Sequence, residues 1–237
     1  MVEKCAVIMA GGKGTRLAPY TISMPKPLVP VGQFPIMEIV IRQLAWYGFT
    51  RIIIAVNHQA ELIRTFFGDG TKYGLNIEYS LEKEPLSTMG PLRLMNDLPG
   101  DFIVMNSDIL TDLDYIRLLD DHVRSGRIFT VSSYKRVQDI EYGVLYEQEG
   151  LLAKFEEKPR LKYLVSMGVY AASKRILAYI PENTFFGFDM LMTELLKSNE
   201  KVGLREHEGY WLDIGRPDDY QMATDVFETN KGVFLKG

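Results

Sequence analysis

"MAGGKGTRLAPYTISMPKPLVPV" occupies residues 9–31 and begins inside a short apolar run, "CAVIMA" (5–10). An apolar run of that length, ended by glycine, reads as a buried strand. The glycines therefore form a loop at a strand's carboxyl end. Gly11, Gly12 and Gly14 let the backbone take unusual conformations and let N–H groups approach an anion closely. Arg16 can fork onto phosphate oxygens. Lys26 stands between Pro25 and Pro27, so its backbone is nearly fixed and its ammonium is aimed. The spacing fits neither the Walker pattern nor the dinucleotide fingerprint. A flexible turn carrying solvated cations would also explain the glycines; the proline-locked lysine favours a phosphate-binding loop.

Working outward, residues 36–48 place Ile36, Ile39, Val40, Leu44 and Tyr47 at helical spacing, with Gly48 as a stop. Residues 51–57 form a second buried strand, 61–70 a short helix, 75–80 an alternating strand, 91–98 a helix opened by Pro91, and 101–108 a third apolar strand. This rhythm predicts an α/β fold with a mostly parallel sheet covered by helices. Ligands in such sheets sit outside the strands' carboxyl ends. The glycine loop and "NSD" (106–108) both fall there. From about residue 128 strands dominate, with a hairpin turn at "EQEG" (147–150), helices predicted at 173–179, 189–198 and 217–229, and a strand pair within 201–215. No repeat or linker interrupts the chain. One domain over 1–237 is expected, with a nucleotide-binding half (1–127) and a second half (128–237).

The 237 residues are 46% hydrophobic and 24% charged, with a net charge of −4. That balance disfavours a nucleic-acid-binding role. No stretch is long and apolar enough to span a membrane, and the start lacks a secretory apolar core. Cys5, the single cysteine, permits no disulfide within the chain and reads as a buried thiol. The expected setting is cytoplasmic, with small-molecule partners, no nucleic acid and no membrane; a homodimer is left open. His58, His122 and His207 show no spacing for a triad or metal site.

"GGKGTRLAPYTISMPKPLVPVG" (11–32) closely resembles the opening motif of the sugar-1-phosphate nucleotidyltransferases. Further matches follow in family order: "EKEPLSTMGPL" (82–92), "NSD" (106–108), "FEEKP" (155–159), "SMGVY" (166–170) and "WLDIGRPDDY" (211–220). The resemblance spans nearly the whole chain and is nearest to short guanylyltransferases for mannose-type sugars. It implies a Rossmann-like, GT-A-like fold with a mixed, mostly parallel sheet and no C-terminal β-helix domain. It also implies the reaction of a nucleoside triphosphate with a sugar 1-phosphate, giving a nucleotide sugar and pyrophosphate.

The resemblance assigns catalytic roles to Arg16, Lys26 and Lys158. It gives nucleotide binding to Ala10, Gly11, Gly12, Gly14, Thr15, Glu82, Pro85, Leu86, Thr88 and Gly90. It gives the sugar phosphate to Asn106, Gly143, Glu157, Lys158, Ser166 and Gly168. Asp108 and Asp213 would hold Mg²⁺, a hard cation that needs only one or two carboxylates beside phosphate oxygens. Read without the family, Asp108 could instead cap a helix, Asp213 could sit in a strand-end turn, and Lys158 could be a solvated lysine.

Departures from the family pattern concern the substrates. Ser107 replaces the glycine of NGD, "STMG" (87–90) replaces GTAG, and Ser166 stands where many relatives have asparagine. Met89 would then crowd the path of base and sugar. GTP with mannose 1-phosphate, or a related hexose or heptose 1-phosphate, is the favoured pair; Glu82 could accept from the N1–H and N2–H₂ of guanine. UTP or dTTP with glucose 1-phosphate is the alternative. A cytidylyltransferase for a non-sugar phosphate and a non-catalytic nucleotide-sugar sensor complete the field.

Overall fold

The computed structural model describes residues 3–57 and 59–235. The elements run β1 (Cys5–Met9), β2 (Pro30–Val31), β3 (Phe34–Pro35), α1 (Ile36–Trp46), β4 (Arg51–Val56), α2 (Ala60–Phe67), β5 (Asn76–Leu81), β6 (Asp101–Asn106), β7 (Ile109–Thr111) and α3 (Tyr115–Ser125). There follow β8 (Phe129–Asp139), β9 (Val144–Gln148), β10 (Leu151–Glu156), β11 (Arg160–Ser173), α4 (Phe188–Lys197), β12 (Val202–His207), β13 (Trp211–Asp213), α5 (Pro217–Thr229) and α6 (Lys231–Phe234).

Seven strands form the main sheet in the order β12-β8-β11-β6-β1-β4-β5. Only β11 runs against its neighbours, pairing antiparallel with both β6 and β8. The apolar runs read from sequence supply β1, β4 and β6, and β1 lies parallel between the other two. Such strands are buried on both faces because helices cover both. On one face, Met37, Val40, Ile41 and Leu44 of α1 pack with Ile63 of α2 and Leu118 of α3. On the other, Leu92, Met95, Ile176, Leu191 and Leu195 cover Val7, Phe102 and Val104. A smaller third cluster joins Leu17, Val29 and Val31 to Phe227 and Phe234, anchoring the glycine loop's base to α5 and α6. Chain order reverses at β1, between β4 and β6, which is where an open α/β sheet opens a ligand crevice.

Several expectations need correction. Residues 91–98 form one 3-10 stretch over Gly90–Leu94; Met89 and Gly90 give their N–H groups to Phe186 O instead of to a helix. Residues 174–179 are likewise 3-10. The strand pair within 201–215 is two unrelated strands: β12 lies parallel to β8, and β13 pairs with β7. Helix α3 escaped the sequence reading. Its cap is Asp114, whose carboxylate accepts from Arg117 N at 2.9 Å, so Asp108 is not the helix cap. No described helix is long and apolar enough to cross a membrane.

Candidate active site

A cleft of about 460 Å³ opens at the carboxyl ends of β1, β4, β5 and β6. Its floor is built by the sheet: Ser107 N–H donates to Met9 O at 3.2 Å, Glu82 N–H to Val56 O at 2.9 Å, and Ala10 N–H to Ala55 O at 2.8 Å. Each strand therefore delivers the residue just beyond it to one place.

Gly11, Gly12, Gly14, Thr15, Arg16 and Lys26 all line this cleft. Gly14 takes φ +65°, and a Cβ there would stand 3.1 Å from Cβ of Lys26. Thr21 Oγ1 donates to Gly14 O at 2.8 Å and pins the turn. Pro25 and Pro27 are buried, and Lys26 opens a short 3-10 turn. That anchorage sends the Lys26 ammonium onto Asp108 Oδ2, a pair whose side chains are only 12% and 15% exposed.

Asp108 sits in the turn between β6 and β7. The fold closes the 105-residue gap to Asp213 through β13, which sets Asp213 opposite Ile109. Ile214 N–H also donates to Asp108 O at 3.0 Å. Asp213 is solvent-accessible yet walled by protein. Its carboxyl is raised above the ordinary range by that desolvation first and by the Asp108 charge second, while Lys26 and Arg16 oppose the shift. Asp108 Oδ1 is buried without a hydrogen-bond donor among the described residues. An orphaned carboxylate oxygen beside a second, destabilised carboxylate is a donor set that fits Mg²⁺. No group of three or more His, Cys, Asp and Glu gathers among the described residues.

Glu82 forms the inner wall and is 6% exposed. Its Oε2 accepts from Leu86 N–H at 3.1 Å, and a Cβ on Gly11 would come within 2.5 Å of its Oε1. Burial raises its pKa; the Leu86 N–H partly offsets this. Pro85, Ser87 and Thr88 also line the cleft. The 86–88 turn is tied across the molecule: Phe186 N–H donates to Leu86 O at 3.0 Å and Phe188 N–H to Thr88 Oγ1 at 3.0 Å. Ala10, Leu86 and Gly90 are buried beneath the wall. Gly90 is there for packing, since a Cβ would meet Thr184 O at 2.8 Å. Met89 does not crowd the cleft. It is 1% exposed and belongs to the core on the sheet's far face.

On the other flank, Asn106 lines the cleft. Gly168 takes φ +72°, and a Cβ there would stand 2.7 Å from Asn106 Nδ2. Ser166 Oγ lies 3.0 Å from the Tyr170 hydroxyl. Ser166, Gly168 and Asp213 stand outside the cleft lining, and Gly143, Glu157 and Lys158 are not brought to it either. The last three sit, exposed, where the β9–β10 hairpin joins β8 and β11. Glu157 stands against Gly143, whose added Cβ would meet Glu157 Oε2 at 3.1 Å.

Sequence reasoning missed Met9, Lys13, Asn57, Phe185 and Gly215 in the lining. Asn57 was findable, because it directly follows the fully buried β4, a strand's carboxyl end like those that carry Glu82 and Asn106. His122 is buried against Thr130 Oγ1 at 2.8 Å, and His207 pairs with Asp112 at 2.8 Å; neither reaches the cleft lining. His58 lies outside the described residues.

The cleft is walled by a glycine loop, Arg16, Lys26 and Asp108, and the chain belongs to the nucleotidyl transferase family, whose model matches residues 5–230. It is 34% identical over 232 residues to a mannose-1-phosphate guanyltransferase of Gibberella zeae, covering 93% of this chain and 63% of that one. It thus spans less than two thirds of the curated relatives it matches. HddC from Yersinia pseudotuberculosis, solved in complex with GMP-PN, superposes with a TM-score of 0.73 at 26% identity, covering 94% of this chain and 99% of HddC. A Bacillus anthracis structure described as a glucose-1-phosphate thymidylyltransferase shares the fold, with a TM-score of 0.76 at 23% identity and 94% of each chain covered.

Proposed function

We propose that the protein transfers a guanylyl group from GTP to mannose 1-phosphate, or to a close hexose or heptose 1-phosphate, releasing pyrophosphate. The observation that carries the reading is the convergence of Lys26, Arg16, Asp108 and Glu82 on one cleft behind a glycine loop. The mannose-type relative and the GMP-PN complex of HddC support the choice of base.

In this reading residues 1–127 hold the nucleotide, and residues 128–237 present the sugar phosphate. Backbone N–H groups of Gly11 and Gly12 face the β- and γ-phosphates. Arg16 draws charge from the leaving pyrophosphate. Lys26 neutralises the reacting phosphates, so that an oxygen of the sugar phosphate can attack the α-phosphorus as pyrophosphate departs in line. Two anions meet in this step, so fixed cations supply most of the catalysis. Asp108 and Asp213 would hold Mg²⁺, which supplies further charge neutralisation when bound. Glu82, freed of water and aimed by Leu86 N–H, accepts from the guanine N1–H and N2–H₂. Asn106, Ser166 and Gly168 contact the sugar, with Glu157 and Lys158 reaching it from the arm. The Cys5 thiol takes no part: burial pushes it up to about 12. The reaction belongs in the cytoplasm on this account.

The test is a pyrophosphate-release assay with each nucleoside triphosphate against a panel of hexose 1-phosphates. Release with GTP and mannose 1-phosphate supports the proposal. Turnover confined to another nucleotide, or none with any sugar phosphate, rejects it.

A further inference from the structure

Phe185 is the one aromatic side chain lining the cleft among the described residues, and it is 62% exposed. Its neighbours are occupied elsewhere. Phe186 is 4% exposed in the core, and Phe188 stacks on Tyr170 with 4.8 Å between ring centroids. Among the described residues no ring stands against Phe185. A lone exposed phenylalanine on an open surface needs no explanation. This one sits in a concave site and is held there.

The segment that carries it is tethered along its length. Glu182 pairs with Arg93, and Thr184 O packs where Gly90 lacks a side chain. The Phe186 carbonyl accepts from Met89 N–H at 3.0 Å and from Gly90 N–H at 2.9 Å, and Phe186 N–H donates to Leu86 O at 3.0 Å. Leu86 in turn donates its own N–H to Glu82 Oε2 at 3.1 Å. The backbone of one residue, Leu86, therefore joins the buried carboxylate to the strip that presents the ring. Glu82 and Phe185 stand on one frame, and their spacing is set before a ligand arrives. Such pre-ordering lowers the entropy lost on binding.

The chemistry of the lining says what the ring meets. The cations Lys13, Arg16 and Lys26 all come from the glycine loop. Pro85, Ser87, Thr88 and Phe185 bring no charge to their wall. A flat apolar ring beside a hydrogen-bonding carboxylate suits a heterocycle that is apolar on its face and polar on its edge.

We propose that Phe185 is the platform on which the base of the nucleotide stacks, while Glu82 meets the edge of that base. The proposal rests on the reading of this cleft as a nucleotide site. A ring offers its face to every base alike, so Phe185 supplies affinity and Glu82 supplies choice.

Isothermal titration calorimetry without sugar phosphate, where no turnover occurs, tests the platform apart from the chemistry. Phe185→Ala should weaken GTP binding about tenfold or more, and should weaken every other nucleotide that the native chain binds by a similar factor. Inorganic tripolyphosphate, which has no base, should bind the variant as it binds the native chain. Phe185→Trp should keep its affinity for GTP, and its added indole fluorescence should be quenched by GTP and not by tripolyphosphate. The fold should survive both changes, since the side chain is already exposed, and circular dichroism checks this. Unchanged GTP affinity in Phe185→Ala, an equal loss for GTP and tripolyphosphate, or an indole that does not respond to GTP would each overturn the proposal. A native chain that binds UTP or dTTP best, with the same loss in Phe185→Ala, would uphold the platform and reject only the guanine reading.

Discussion

Glu82→Gln should separate the role of the Glu82 charge from that of its shape. The amide oxygen of glutamine can still accept from Leu86 N–H, which now lies 3.1 Å from the carboxylate, so the wall stays in place. The second oxygen, beside Gly11, becomes an NH₂ or leaves a donor-lined gap facing guanine N1–H. Leaving one buried hydrogen-bonding group unmatched costs about 1–3 kcal/mol, and each 1.4 kcal/mol is about tenfold. The kcat/KM for GTP should therefore fall about 5- to 150-fold, while the value for ATP, whose N1 is an acceptor, should hold or rise. Stability should move the other way. Burial raises the folded-state pKa of Glu82, so this group favours folding below its unfolded pKa and loses that contribution as pH rises through the folded value. At neutral pH the ionised carboxylate is a net cost, and Glu82→Gln should melt at a higher temperature than the native chain, with the gap closing as the pH falls into the acid range. Steady-state kinetics with GTP and ATP, and melting curves across pH, give both readouts. An unchanged GTP-to-ATP ratio, or equal losses for every nucleotide, would refute the assignment of Glu82 to the base.

Asp108→Asn should lower kcat by about 10²-fold or more while the fold survives, and chelation should abolish native turnover until Mg²⁺ is restored; normal turnover of the variant in chelated buffer would remove Asp108 from the site. Asp213 is also raised, by desolvation and then by Asp108, so Asp213→Asn should melt higher than the native chain at neutral pH and lose that advantage in acid, with kcat depressed throughout; a lower melting temperature at neutral pH would contradict the crowding described. Lys158→Ala should raise KM for the sugar 1-phosphate far more than KM for the nucleotide, and equal rises would show that the arm does not serve the sugar side.

The parts of the fold that were legible in the sequence are those where a local pattern has one physical solution. "CAVIMA", "RIIIAV" and "DFIVMN" are apolar on both faces, so they had to be inner strands, and they became β1, β4 and β6. Helix α3 was hidden because one of its few buried positions is His122, and Asp120, Asp121 and Arg124, outside that inward face, make much of the rest polar. The phosphate end of the cleft was legible because glycines and proline-locked Lys26 signal locally. Its far wall was not: Phe185 reaches the cleft only through backbone bonds between residues 86–90 and 186, about a hundred positions apart. Met89 misled for a related reason, since those same bonds turn its side chain away into the core. Lys158 was identified by motif, but its placement depends on an exposed arm, and a motif carries no information about where an arm rests.

The central claim is a guanylyl transfer driven by the cleft behind the glycine loop. Its most direct test is kcat/KM for all five common nucleoside triphosphates with mannose 1-phosphate, read as pyrophosphate release, in the native chain and in Lys26→Ala. The account predicts GTP preferred by about tenfold or more, with Lys26→Ala losing about 10²-fold or more. A tenfold or greater preference for UTP or dTTP, or turnover indifferent to Lys26, would contradict it.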